Sequence, residues 1–523
     1  MKYDFDVVVD RSKNCAAKYD ERKKKFGTDD VIPLWIADMD FKTAQPIIDA
    51  LGKRAQEGIW GYTSRPDSYF EAIRGWQKRR NGWDIDQSLM SFSLGVVQTI
   101  SAMVKLFTPE GGSVLIQTPV YSEFYDMTEA WNRRVLENQF IEKDGKWEMD
   151  WADFEAKLEE ADLFLLCNPH NPLGIVWTPE ELRRMVELCM KHHVVLFSDE
   201  IHSDLIFHGK KHTPTATVSP EAARYVVTGI SGTKTFNLAG LQASTAVFPN
   251  AHMKQVFDHY WQCMDIHRNN AFSLTAMQAA FNEGEEWLEQ LLAYLSDNFD
   301  FVVNYCREHI PQIKTYAPDA TYLMWLDCRA LGLDNEALRR FMIEKAKLGL
   351  NEGYTFGRSL SGYMRLNAAC PRSVLEQAMK QLEAGQVPVR GRLGTRNLGK
   401  ERSISCGNYP KEELLAAVRK PDPDPGRHHH RRPHRGLCPR RGHHHQAHRR
   451  HLPEPAVHHR GSPGVRVHRL RGWQHGQHEA PGQDPGLHHR HLHLHRPDRR
   501  GLCAAVGEPV QPFRRHLHPA DGR

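Results

Sequence analysis

Apolar and polar positions along the first 385 residues fall into blocks that predict buried strands alternating with amphipathic helices. Ala161-Asp-Leu-Phe-Leu-Leu166, Tyr225-Val-Val-Thr-Gly-Ile230 and the run opening Val194-Val195-Leu196-Phe197 are short, nearly continuous in apolar character and bounded by turn residues. That is the pattern of strands covered on both faces. Gln98-Thr-Ile-Ser-Ala-Met-Val-Lys-Leu-Phe107 and Pro179-Glu-Glu-Leu-Arg-Arg-Met-Val-Glu-Leu-Cys189 carry helical spacing instead. Strands separated by helices predict an α/β fold with a mostly parallel sheet. Further along, a helical stretch runs from Trp287 through Tyr305, and Tyr322-Leu-Met-Trp-Leu-Asp327 reads as a strand of a smaller α+β unit.

The predicted strand ends carry the chemistry. In an open α/β sheet, ligands bind outside the carboxyl ends of parallel strands. Three successive strands end at Cys167-Asn-Pro-His-Asn-Pro172, at Ser198-Asp-Glu-Ile-His202 and at Ser231-Gly-Thr-Lys-Thr-Phe-Asn237. They deliver Asn171, Asp199 and Lys234 to one crevice. A lysine at a buried strand end has its ammonium form disfavoured, so its free amine is within reach. A free amine is what a Schiff base with an aldehyde cofactor requires. Asp199 suits a protonated pyridinium nitrogen, and Asn171 suits a donor to a phenolic oxygen. A turn asparagine, a capping acid and a surface lysine are each common alone, but not together at strand ends in this order.

These segments, with Trp35-Ile-Ala-Asp-Met-Asp-Phe41, Gly61-Tyr-Thr63 and Met364-Arg-Leu-Asn367, resemble the fold-type I pyridoxal-phosphate enzymes. More narrowly the chain is similar to the MalY/PatB group of cystathionine β-lyase-like C–S lyases, over residues 1 to about 385. The resemblance implies pyridoxal 5′-phosphate as cofactor, with Lys234 and Tyr121 catalytic and Tyr121 stacked on the pyridine ring. It implies a phosphate site at Gly95, Val96 and Val97, aided by the hydroxyls of Ser231 and Thr233, and a place for His202 near the phenolic oxygen. Arg365 matches the clamp on the substrate α-carboxylate. Tyr62 matches a tyrosine that reaches the phosphate of the neighbouring subunit, which implies a homodimer with an intersubunit site. Position 242 is Gln, where aspartate aminotransferases place a phosphate-binding arginine.

Composition divides the chain. Residues 1–385 have a net charge of −11 and residues 386–523 a net charge of +16, and 21 of the 31 histidines lie in the second part. From 421 to 523 there is no Ile, Lys, Met, Asn, Thr or Tyr. The missing residues mostly have A/T-rich codons, which points to a GC-rich gene read out of frame or an unselected extension, and with no periodic apolar face to offset chain entropy the tail is expected to be disordered. Its His and Arg clusters invite metal or nucleic-acid readings. They match no zinc-finger spacing and aromatic residues for base stacking are nearly absent, so neither partner is expected. A short helix within 401–420 has nothing evident to pack on. The expected organisation is an N-terminal segment 1–48 packing with the small domain or the partner subunit, a cofactor domain 49–285, a small domain 286–385 and the basic tail 386–523. The absence of C-x-x-C pairs, of an apolar span and of a secretory-type N-terminus predicts a reduced, cytoplasmic protein with no membrane partner. Cys167 is expected to be a packed, inert thiol.

The expected activity is carbon–sulfur β-elimination from cystathionine or a related cysteine S-conjugate, a small amino-acid substrate. An aminotransferase of class I/II shares every step up to the carbanion and is the alternative. A regulatory binding role that retains the site is a third reading.

Overall fold

The computed structural model describes residues 2–143, 145–266 and 268–385. The expectations for the 386–523 tail, including the 401–420 helix and its metal or nucleic-acid readings, lie outside the described residues.

A seven-stranded sheet forms the centre. In chain order its strands are β1 (Met90–Ser93), β2 (Ser113–Thr118), β3 (Arg134–Gln139), β4 (Leu163–Cys167), β5 (Val195–Asp199), β6 (Val227–Ile230) and β7 (Ser244–Val247), arranged in space as β1-β7-β6-β5-β4-β2-β3. The pairings from β3 through β6 are parallel, and β7 runs against both its neighbours. The sheet is covered on both faces, which is why its strands read as continuous apolar runs. Leu163, Leu165 and Cys167 of β4 join one core with Val114, Ile116, Phe197 and the helix Val96–Phe107. Phe164 and Leu166, pointing the other way, join Leu115, Leu196 and the helix Pro179–His192. The two-residue period thus divides each strand between two cores. The predicted helices extend further than their periodicity suggested: the one at Gln98 starts at Val96, and Pro179 begins a helix reaching His192. Thr178 and Glu181 form a reciprocal capping box at the start of the latter, satisfying two amides that would otherwise be orphaned.

A second, three-stranded antiparallel sheet holds β8 (Leu323–Asp327), β9 (Asn351–Glu352) and β10 (Tyr363–Asn367), with β10 central. The helix Glu285–His309 precedes it and Arg372–Gly385 follows it, packed together. Near the N-terminus, Ile32–Pro33 pairs in parallel with Leu348–Gly349. The chain then runs past β10, where Asn367 donates from its backbone to Leu34 O and from Nδ2 to the carbonyls of Ile36 and Asp38. Asn237, just beyond β6, grips the same stretch through Met39 and Phe41. The segment Trp35–Phe41 is therefore stretched between the two sheets.

Candidate active site

The crevice is built by register. Cys167 pairs with Asp199, and Asp199 with Gly229, so β4, β5 and β6 end at nearly one level and their following residues leave the sheet side by side. The turn after β4 that carries Asn171 closes at Gly174. There φ is +65°, and a Cβ would come within 2.9 Å of Ala320 O, so only glycine fits.

Lys234 donates from Nζ to Ala37 O at 2.5 Å. Burial, reinforced by the charge of Arg365, brings its ammonium down to about 8, while Asp38 and Asp199 pull in the opposite direction. Asp199 is buried, and burial pushes it up to about 7 against the Ile201 N–H, at 3.1 Å, and the charge of Lys234. Each group destabilises its own ion by desolvation and stabilises the other's by charge.

Arg365 lies in central strand β10, paired across to Trp325 on one side and Asn351 on the other. Its guanidinium is buried and donates to Asn171 Oδ1 at 3.2 Å, Asn351 Oδ1 at 2.9 Å and Trp35 O at 2.8 Å, with the Phe356 ring 4.7 Å away. Nε has no partner, and every partner named is neutral. Burial lowers this arginine to about 10. A buried cation without a carboxylate is costly to hold, and a substrate carboxylate is the group that would relieve it.

His202 is buried with Nδ1 unpartnered, its ring edge-on to Tyr322. Burial and the charges of Lys234 and Arg365 hold it down to about 3, so the imidazole is neutral. The Tyr121 phenol is kept protonated, mainly by burial, with Glu123, Asp126 and Asp199 adding to the effect and Arg365 opposing it. Gly95 is the N-cap of the helix Val96–Phe107, with the Gln98 side chain against it and no side-chain capping hydrogen bond, and the first amides of such a helix are suited to an anion. Ser231 Oγ donates to Ala243 O at 2.6 Å, accepts from Thr233 N at 3.0 Å and lies 2.8 Å from Thr233 Oγ1. Cys167 is buried, its thiol pushed up by desolvation and donating to Pro169 O.

Within this chain, then, Asn171, Asp199, His202, Lys234, Arg365 and Tyr121 come together. Tyr62 does not: it is 97% exposed, beside exposed Ile59 and Trp60. Several contributors escaped the sequence reading. Ala37 O gathers both Lys234 and the Tyr322 hydroxyl, the latter at 2.8 Å. Asn351 and Trp35 O complete the Arg365 seat. Asn237 and Asn367 sat inside motifs that were singled out, but nothing marked them as the clamps of Trp35–Phe41.

The donor set fits pyridoxal phosphate. Asp199 is a buried carboxylate with no cation hydrogen-bonded to it among the described residues, which suits a pyridinium N–H. Asn171 turns Oδ1 to Arg365, which leaves Nδ2 to donate to a phenolic oxygen. Among the described residues, no cluster of His, Cys, Asp and Glu is placed to hold a metal ion, and no helix is long and apolar enough to cross a membrane.

Comparison with known proteins agrees with this geometry. Residues 29–382 match the family model for aminotransferase class I and II. Cystathionine beta-lyase PatB of Bacillus subtilis (strain 168) is 40% identical over 382 residues, covering 73% of this chain and 99% of that protein. A PLP-bound structure from Clostridium difficile 630 is 44% identical, with a TM-score of 0.73 over 73% of this chain and 100% of that one. Cystalysin from Treponema denticola, which contains a pyridoxal 5′-phosphate cofactor, is 32% identical with a TM-score of 0.72, over 74% and 99% of the two chains. The chain belongs to the aminotransferase class I and II family and has the fold-type I architecture of pyridoxal-phosphate enzymes.

Proposed function

We propose that this protein is a pyridoxal-phosphate-dependent C–S β-lyase that converts cystathionine or a related cysteine S-conjugate to pyruvate, ammonia and a thiol. One observation carries the reading: a desolvated lysine, Lys234, faces a buried guanidinium, Arg365, that has no acidic partner. This pair lies in a chain 40% identical to a cystathionine β-lyase. Arg365 takes the substrate carboxylate through its planar fork, which sets the Cα–H toward Lys234. Lys234, its ammonium brought down to about 8, accepts that proton as general base. When pyridoxal phosphate is bound, Asp199 would pair with its ring nitrogen, Asn171 would donate to its phenolic oxygen and Tyr121 would stack on the ring. His202 stays neutral beside them. The amides of Val96 and Val97 at Gly95, with the hydroxyls of Ser231 and Thr233, would receive the phosphate. Bound pyridoxal phosphate supplies the electron sink for charge developing at Cα.

The same reading makes the protein a cytoplasmic homodimer. Support comes from exposed Ile59, Trp60 and Tyr62, an apolar strip of the kind that a partner subunit covers. The seven described cysteines are all free, as in a reducing compartment.

The test is incubation with L-cystathionine and no 2-oxo acid. Stoichiometric thiol and pyruvate are expected. Product that forms only when a 2-oxo acid is added, with the thioether intact, overturns the lyase reading in favour of an aminotransferase.

A further inference from the structure

His170 lies on the turn after β4, next to Asn171, and reaches across to the turn after β2 that carries Tyr121. Its ring is fully buried, with Nε2 2.7 Å from the carbonyl of Pro119. A carbonyl can only accept, so Nε2 carries the hydrogen. Burial pushes the imidazole down to about 4 against the carbonyls of Pro119 and Cys167, so the ring is neutral and its Nδ1 lone pair meets no donor. Phe140 stands edge-on at 5.0 Å and Trp177 at 6.0 Å, which fixes the ring plane. An unmet buried acceptor is unfavourable. An apolar side chain would pack here without that penalty, so the useful feature of the histidine is its Nε2 donor.

The donor acts on a short turn. Phe140 N holds Thr118 O at 2.8 Å, and Val120 N reaches Phe356 O at 2.7 Å. Among the described residues no other side chain hydrogen-bonds the backbone of Pro119 or Val120. Tyr121 follows directly, and β2 and β4 are parallel neighbours.

We propose that His170 is a positioning residue whose Nε2–H bond to Pro119 ties the Tyr121 turn to the Asn171 turn. The aromatic face from one turn and the edge donor from the other are thereby held in one relation to the cofactor ring. This rests on reading Tyr121 as the stacking residue, and the experiment separates the two ideas.

Glutamine can place an amide donor where the ring Nε2 sits. Methionine has the same length and no donor. Holoenzymes of His170→Gln, His170→Met and Tyr121→Ala are compared by visible circular dichroism of the bound cofactor, by kcat and KM, and by Tm. Tyr121→Ala is expected to reduce the cofactor dichroism. His170→Met should reproduce that loss, with kcat lowered about 10-fold and KM changed less than about two-fold, the pattern of misaligned reacting groups. His170→Gln should retain both signals within about two-fold. Should His170→Met fail to fold, His170→Asn, whose amide stops short of Pro119, serves in its place with the same expected result. A donor-free variant that lowers Tm yet keeps wild-type dichroism and kcat overturns the proposal, as does equal behaviour of the Gln and donor-free variants. Unchanged dichroism in Tyr121→Ala overturns the stacking reading itself and the proposal with it.

Discussion

Arg365 donates from Nη1 to Asn171 Oδ1 at 3.2 Å, and that one contact orients both residues for different tasks. The amide is turned so that its Nδ2 points away from the guanidinium as a donor. The guanidinium is held by neutral acceptors only, which leaves its charge for a ligand carboxylate. In the proposed function, substrate and cofactor contacts thus share this link between β10 and the turn after β4.

Arg365→Lys should raise KM far more than it lowers kcat. A charged hydrogen bond to a carboxylate contributes about 1.5–3 kcal/mol, and losing the planar fork should reduce kcat/KM by about 10–100-fold. Steady-state kinetics with cystathionine check this. A kcat loss at constant KM would show that the arginine acts elsewhere than on the carboxylate.

Asp199→Asn should abolish turnover while stabilising the cofactor-free protein at neutral and higher pH. Burial raises Asp199 from 3.8 to about 7. The folded chain therefore holds a proton there that the unfolded chain has released across that window, so stability falls as pH rises through it. Below pH 3.8 both states are protonated and the penalty is absent; above about 7 it is fully developed. Melting curves of the cofactor-free wild type and variant should converge in acid and diverge at pH 8, with the variant higher.

Lys234→Ala and Tyr62→Ala should each be inactive or nearly so, yet regain activity when unfolded together and refolded as a mixture. A hybrid dimer places both defects in one site and leaves the other intact, so roughly a quarter of wild-type activity is expected for a shared site in a twofold dimer. No regain on mixing would mean that Tyr62 serves its own chain or none. Lys234→Ala alone should also lose the borohydride-reducible link to the cofactor, read by mass spectrometry.

A chain stopped after Arg390 should keep cofactor absorbance and lyase activity. The family match ends at residue 382, and the last described helix ends at Gly385. Visible absorbance and thiol release check it. Loss of either would assign the basic tail a part in folding the catalytic unit.

The strands and their ends were legible in the sequence because burial on both faces writes itself as continuous apolar runs. Leu163–Cys167 and Val227–Ile230 needed no partner to be recognised, and Asp199 ends its strand while Asn171 and Lys234 sit in the short turns after theirs. Helix ends were less legible, since the periodicity at Gln98 did not reveal that the helix begins at Val96. Only the tertiary structure decided what comes from far away. Ala37 is 197 residues from the lysine whose Nζ it accepts, and Asn351 reaches Arg365 through strand pairing. Neither carries a local signal: a backbone carbonyl has no residue type, and an asparagine on a short strand looks like any turn residue. Likewise, the values near 7 for Asp199 and near 8 for Lys234 are set by desolvation. Desolvation depends on which groups close over a side chain, and the order of residues along the chain does not contain it.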